Sequence, residues 1–172
     1  VGKAGQEKDT YKARHRLRLL PQYTTNIVKC RPPGNRDPEP EEILACTPHL
    51  LEEIEKAPGD LVIGALGRFA ASAFIPDLDM DMMHSIPQRY HANPNWIIVP
   101  IYHPALGLYS TRFMTQIDQG FKAVADVVEG LIKPEDWNDL YPEPVYQEYR
   151  TGHKIPRPEV VFVDTETVHL EP

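Results

Sequence analysis

Two unbroken apolar runs constrain the fold of this chain more than any other feature: Leu61-Val62-Ile63-Gly64-Ala65-Leu66 and Trp96-Ile97-Ile98-Val99-Pro100-Ile101. Runs this short, with no alternation of polar residues, read as strands buried on both faces, which is the pattern of a parallel sheet covered by helices. Helical periodicity flanks them. Ile43, Cys46, Leu50 and Ile54 share one face of a helix expected to open at Asp37-Pro38 (N-cap, then proline at the first helical position) and to end near Lys56 at Ala57-Pro58-Gly59. Phe113, Ile117, Phe121, Val124, Val128 and Leu131 mark a longer amphipathic helix from about Thr111 to Ile132. Thr24 to Val28 reads as a short strand and Arg68 to Phe74 as a short helix, whereas 76–95, with Pro76, Pro87 and Pro94, reads as irregular. The expected architecture is α/β, a three-layer sandwich with a central, mostly parallel sheet. Ligands of such sheets bind at the carboxyl ends of the strands, which directs attention to the loops after Val28 and after Ile101.

Charge is uneven along the chain. Lys3, Lys8, Lys12, Arg14, Arg16, Arg18, Lys29, Arg31 and Arg36 against Glu7 and Asp9 give the first 36 residues a balance of +7, inside a chain of net charge −7. Bulk coating of nucleic acid by charge is thereby excluded, while a local basic segment can still track a phosphate backbone. A solvated helix face accounts equally well for Lys12, Arg14, His15, Arg16 and Arg18. No apolar run approaches the length of a membrane span. Two cysteines make no disulfide framework, and with no signal peptide a reducing compartment is expected.

Four groups of residues can carry chemistry. Cys30 lies in Asn26-Ile27-Val28-Lys29-Cys30-Arg31-Pro32-Pro33-Gly34-Asn35-Arg36, with Cys46 sixteen residues on; two cysteines alone are either buried thiols or part of a metal site that needs about four ligands. Asn26, at a strand end, offers both a donor and acceptors and can read the edge of an extruded base, or simply form a turn. His103, in Tyr102-His103-Pro104-Ala105 directly after a strand, can donate a hydrogen bond to a leaving group, or again merely shape a turn. Asp164 and Glu166 follow the apolar Val160-Val161-Phe162-Val163 at i, i+2 spacing, which suits a shared divalent cation.

The block from Asn26 to Arg36, the second cysteine on an acidic helix and the His-Pro-Ala motif together resemble the family 4 uracil-DNA glycosylases, the iron–sulfur branch of that superfamily. The resemblance covers roughly residues 1–132. It implies hydrolysis of the N-glycosidic bond of uracil in DNA, with Asn26 reading the base and His103 stabilising the departing uracil. It also implies Cys30 and Cys46 as two of the four ligands of a 4Fe–4S cluster, the other two forming a Cys-x-x-Cys pair that this sequence does not contain. Lys29, Arg31 and Arg36 are then expected to meet DNA phosphates. The family carries leucines four and five residues after the histidine, one of which wedges into the space left by the flipped base. Here Gly107 holds the fourth position, leaving Leu108 or Tyr109 to serve. Gly64 and Gly67 fit the family's Ala-Leu-Gly strand end.

Residues 133–158, rich in proline and tyrosine, read as a linker. Residues 159–172 resemble the first motif of DnaQ-like 3′–5′ exonucleases, in which Asp164 and Glu166 would bind divalent metal. That order of segments is similar to phage-type DNA polymerases with a glycosylase-like domain at the N-terminus. The chain is therefore expected to be an internal piece of a longer replication or repair polypeptide, incomplete at its N-terminus and inactive by itself, because the family's water-positioning Gly-Glu-Ala-Pro-Gly motif and uracil-stacking Phe do not occur in it. Two alternatives stand beside this reading: a catalytically degenerate DNA-binding or structural module, to which Gly107 points, and a zinc site built on Cys46 and His49.

Overall fold

The structure, a computed structural model, describes residues 2–57 and 59–134 and the backbone of Glu159–Asp164. The elements run α1 Lys3–Arg14, β1 Gln22–Asn26, α2 Pro40–Glu55, β2 Leu61–Leu66, α3 Arg68–Ser72, α4 Met80–Met83, β3 Gln88–Tyr90, β4 Asn93–Ile101, α5 Thr111–Val128 and β5 Glu159–Asp164. Strand order in the sheet is β1-β5-β2-β4-β3, parallel throughout except for β3, which pairs antiparallel with β4.

Both apolar runs are strands, and every residue of β2 is buried. Alternation along the pleat sends Val62, Leu66, Ile97, Val99 and Ile101 into one core, against Tyr11 of α1 and Ile117, Phe121 and Val124 of α5. Leu61, Ile63, Ala65, Trp96 and Ile98 enter the other, against Leu50 and Ile54 of α2 and Ala70 and Ala71 of α3. Helices therefore cover both faces, as the three-layer reading requires. The helix face Ile43, Cys46, Leu50 and Ile54 packs on the sheet as expected.

The boundaries differ in instructive places. α2 opens at Pro40 rather than at Asp37-Pro38, because the proline at 40 holds Glu39 in an extended conformation (φ −76°, ψ 154°). Glu39 and Glu42 then form a reciprocal capping box. α5 ends at Val128, four residues short of expectation, where Gly130 takes φ +71° and reverses the chain. Residues 76–95 hold a short helix, a strand and the start of β4.

Residues 159–164 form a strand of the same sheet. Read from sequence as the opening of a second, exonuclease-like domain, this strand lies between β1 and β2 and pairs in parallel with both, Asp164 standing level with Asn26 on one side and Leu66 on the other. An apolar strand is not stable alone, and β1 and β2 have no pairing with each other that it would have to displace. Most of the expected linker, 135–158, and residues 165–172, with Glu166, lie outside the described residues.

Candidate active site

The carboxyl ends of β1, β5, β2 and β4 form one edge of the sheet, and the chemistry-bearing residues gather there. Asn26 ends β1, Asp164 ends β5, Gly67 follows β2, and His103 stands two residues beyond β4. Three steps between parallel strands separate β1 from β4, about 14 Å at the usual spacing.

His103 is fixed by the turn it opens. It caps the 3₁₀ turn Pro104–Leu108, and its Nδ1 accepts the backbone N–H of Ala105 at 3.2 Å. With Nδ1 committed as an acceptor, the ring hydrogen of the neutral imidazole lies on Nε2, the tautomer suited to donate to a developing oxyanion. Gly67 contributes the approach: its φ of +84° with ψ 165° is a conformation that only glycine adopts freely, and its N–H reaches the carbonyl of Ile101 at 2.7 Å. The end of β2 is thus tied to the end of β4 immediately below His103.

Behind His103, Tyr102 is 7% exposed and donates its hydroxyl hydrogen to Asp81 Oδ1 at 2.5 Å. Burial first, then the Asp81 hydrogen bond and charge, push the Tyr102 phenol up to about 12. The His84 ring packs 5.0 Å from that of Tyr102, and burial lowers its pKa. Asp81 and His84 fall in the segment read from sequence as irregular. The only signal there was Asp79 ahead of Met80, an N-cap whose Oδ1 accepts from the amides of Asp81 and Met82.

Residues 107–109 divide by the direction they face. A Cβ at Gly107 would meet Ile117 Cδ1 and Met114 Cγ at 3.4 Å and Tyr11 Oη at 3.6 Å, so this position faces α5. Leu108 and Tyr109, 42% and 85% exposed, are the apolar side chains that point outward.

The basic residues divide. Lys29 Nζ sits 2.6 Å from Glu53 Oε2 and 2.7 Å from Thr25 Oγ1, while Thr25 itself donates to Glu53, which locks β1 to α2. Those two hydrogen bonds, Lys29's first, hold the Glu53 carboxyl below its ordinary range. Arg36 forks onto Glu42, with both N–O distances 2.8 Å, and fastens the cysteine loop to the first turn of α2. Arg31 is exposed. On α1, Lys12 is buried and bonds Thr24, and Arg14 and His15 both reach Asp118 of α5, so part of the basic helix faces the fold rather than solvent.

Cys30 is exposed and Cys46 half-buried, both as free thiols. The Lys29 amide donates to Cys46 Sγ at 3.3 Å, which brings the residue before Cys30 against the second sulfur. Backbone N–H donation to sulfur suits a thiolate ligand, so Cys46 fits that role, with Cys30 directly following the donating residue. Among the described residues no group of three or more His, Cys, Asp or Glu could hold a metal ion, which leaves the Cys46 and His49 pair without a third ligand there.

A model of the uracil DNA glycosylase superfamily matches residues 8–124, a stretch that contains Asn26, Cys30, Cys46 and His103 and excludes β5. The type-4 uracil-DNA glycosylase of Saccharolobus solfataricus is 36% identical over 113 residues, 62% of this chain and 51% of that protein. That of Archaeoglobus fulgidus is 32% identical over 133 residues, 74% of this chain and 66% of the relative. That of Thermotoga maritima is 34% identical over 110 residues, 61% and 54% of the respective chains. The chain thus spans between half and two thirds of the length of these curated relatives. With more than half of its length, including both strand-end motifs, inside one family match, this chain belongs to the uracil DNA glycosylase superfamily.

Proposed function

We propose that the chain supplies base recognition and leaving-group stabilisation to a uracil-DNA glycosylase, acting on uracil extruded from DNA. The observation that carries this reading is the shared edge: Asn26 and His103 stand at the carboxyl ends of parallel strands about 14 Å apart, with a glycine turn between them. In the reaction, water oxygen bonds to C1′ and releases a proton to solvent, the C1′–N1 bond breaks, and uracil leaves with negative charge on O2. His103 Nε2–H meets that charge, and the Asn26 amide pairs with the base edge. Leu108 and Tyr109 fill the stack from which the nucleotide departs, and Arg31 meets phosphate. Lys29 and Arg36 act chiefly through their ion pairs with Glu53 and Glu42, which hold the cysteine loop.

Cys30 and Cys46 would hold two corners of a 4Fe–4S cluster, which when bound supplies a structural cross-link between that loop and α2. The Lys29 amide orients Cys46 for this. DNA carrying uracil is the proposed partner. No helix among the described residues is long and apolar enough to cross a membrane.

The degenerate-module alternative drew on Gly107. Because position 107 faces α5, a side chain there would point into the fold, and a glycine at 107 does not count against a wedge at the next two residues. A wider setting, a DNA-synthesising polypeptide with a proofreading exonuclease, is carried by Asp164-Thr165-Glu166 alone. It is tested by 3′-end degradation of single-stranded DNA by the full-length polypeptide and its loss in Asp164→Ala.

The glycosylase reading is tested by uracil release from a uracil-containing oligonucleotide by the full-length polypeptide. His103→Ala should lower kcat by about 10²–10³, the usual cost of an oxyanion donor. Asn26→Ala should lower kcat/KM by about ten- to a hundredfold. No uracil release by the unsubstituted protein would refute the enzyme and leave the scaffold.

A further inference from the structure

Three successive residues ahead of His103 are each pinned by a different group. The Pro100 carbonyl accepts the Ser85 amide at 2.7 Å, the Ile101 carbonyl accepts the Gly67 amide at 2.7 Å, and the Tyr102 hydroxyl reaches Asp81 Oδ1 at 2.5 Å. Two of the three pins come from Met80–Ser85, the stretch that passes over the end of β4.

This stretch is built to hold its place. Asp79 caps α4 by accepting from the Asp81 and Met82 amides, which sets the direction of Asp81. Ser85 takes φ +64°, an unfavourable conformation for a residue with a Cβ, and its amide makes the bond to Pro100 from there. Strain of that kind persists only where the surroundings over-determine the backbone. The Tyr102 ring also packs against two others, His84 at 5.0 Å and Phe113 of α5 at 5.1 Å. Packing alone can fix the ring plane. The hydroxyl bond fixes how far the residue protrudes from the strand, and the backbone passes that setting directly to His103.

We propose that the Asp81–Tyr102 hydrogen bond is a positioning device for His103, holding its imidazole at the height at which Nε2 meets the leaving base. Asp81 and Tyr102 are positioning residues that touch neither substrate nor reacting atoms. The inference rests on the reading of His103 as the leaving-group donor. A misplacement of about 1 Å in such a donor can cost up to a hundredfold in rate, so a bond this close to the reacting group has leverage on kcat.

The test uses the full-length polypeptide with Tyr102→Phe, which keeps the ring and its two packing partners, and with Asp81→Ala and Asp81→Asn. Tyr102→Phe and Asp81→Ala should each lower kcat on uracil-DNA about tenfold with KM little changed. Asp81→Asn retains an acceptor oxygen and should restore most of the rate. In a His103→Ala background Tyr102→Phe should cost nothing further, because the group it positions is gone. Equal losses in both backgrounds would show a general structural role and overturn the proposal, as would an unchanged kcat in Asp81→Ala. A second readout needs no turnover: the His103 ring ¹⁵N signals, held to one tautomer by Ala105, should shift toward averaging in Tyr102→Phe and Asp81→Ala. Unchanged ring signals in both variants overturn the positioning role even if uracil release is absent, an absence that would itself refute only the glycosylase reading.

Discussion

Gly120→Ala asks how closely α5 approaches the end of β4. A Cβ at position 120 would lie 2.7 Å from Ile101 Cγ2, 3.0 Å from its Cγ1 and 3.2 Å from its Cβ. Carbon atoms pack best at about 3.5–4.0 Å, so the closest contact is short by roughly an ångström. Ile101 cannot step aside: it is fully buried, branched at Cβ, and stands level with Leu66 of β2. Overpacking of this kind costs about 1–3 kcal/mol, and the gain in helix propensity from glycine to alanine offsets about 1 kcal/mol. Because the clash falls on a stiff buried side chain, a net loss of about 1–2 kcal/mol is expected, equivalent to a fall in Tm of about 3–6 °C for a chain of this size. Urea unfolding measures it. In an Ile101→Ala background the two nearest atoms are gone, and the same substitution should become neutral or stabilise by up to about 1 kcal/mol. A Gly120→Ala protein as stable as its parent, or one that loses equally in both backgrounds, would refute the close approach.

Further outcomes follow from the titrating and exposed groups. Tyr102 sits at about 12 against an ordinary 10.0, so the stability this phenol confers is complete below pH 10 and is lost as the pH rises through 12; Asp81→Ala should lower the value while burial keeps it above 10, as read from phenolate absorbance. Glu42 is held at about 2 against an ordinary 4.5, first by the Arg36 hydrogen bond and then by the Glu39 amide; its contribution is present above pH 4.5 and lost as the pH falls through about 2, and Arg36→Met should return its carboxyl NMR titration most of the way to the ordinary range. Tyr109→Ala should lower uracil release from duplex more than from single-stranded DNA, because only the duplex must be unstacked; equal losses would remove Tyr109 from the wedge. Cys30→Ser and Cys46→Ser should each lower the iron and sulfide content of the full-length polypeptide, and zinc without sulfide in the parent would rule out the cluster.

Much of the sheet and half of the site were legible in the residues themselves. Leu61–Leu66 and Trp96–Ile101 are strands because continuous apolar runs of that length can be buried on both faces, and the helix faces of α2 and α5 follow from their 3.6-residue periodicity. Asn26 and His103 were legible as strand-end residues within motifs. Gly67 was legible only as a turn; that its amide ties β2 to β4 depends on strands adjacent in space and distant in sequence.

What sequence could not supply were relations between segments that periodicity does not encode. The strand at 159–164 has the same local pattern in any sheet, and its place between β1 and β2 is decided by hydrogen-bonding partners far along the chain. Met80–Ser85 has no period because its task is to present one carboxylate and one amide to β4, each from a conformation set by a neighbour. Local sequence determined which stretches become strands and helices, since propensity and apolar period act within a few residues. Tertiary structure alone decided which strand ends meet, which way position 107 faces, and which of the cations are already paired, since those outcomes depend on packing across the whole fold.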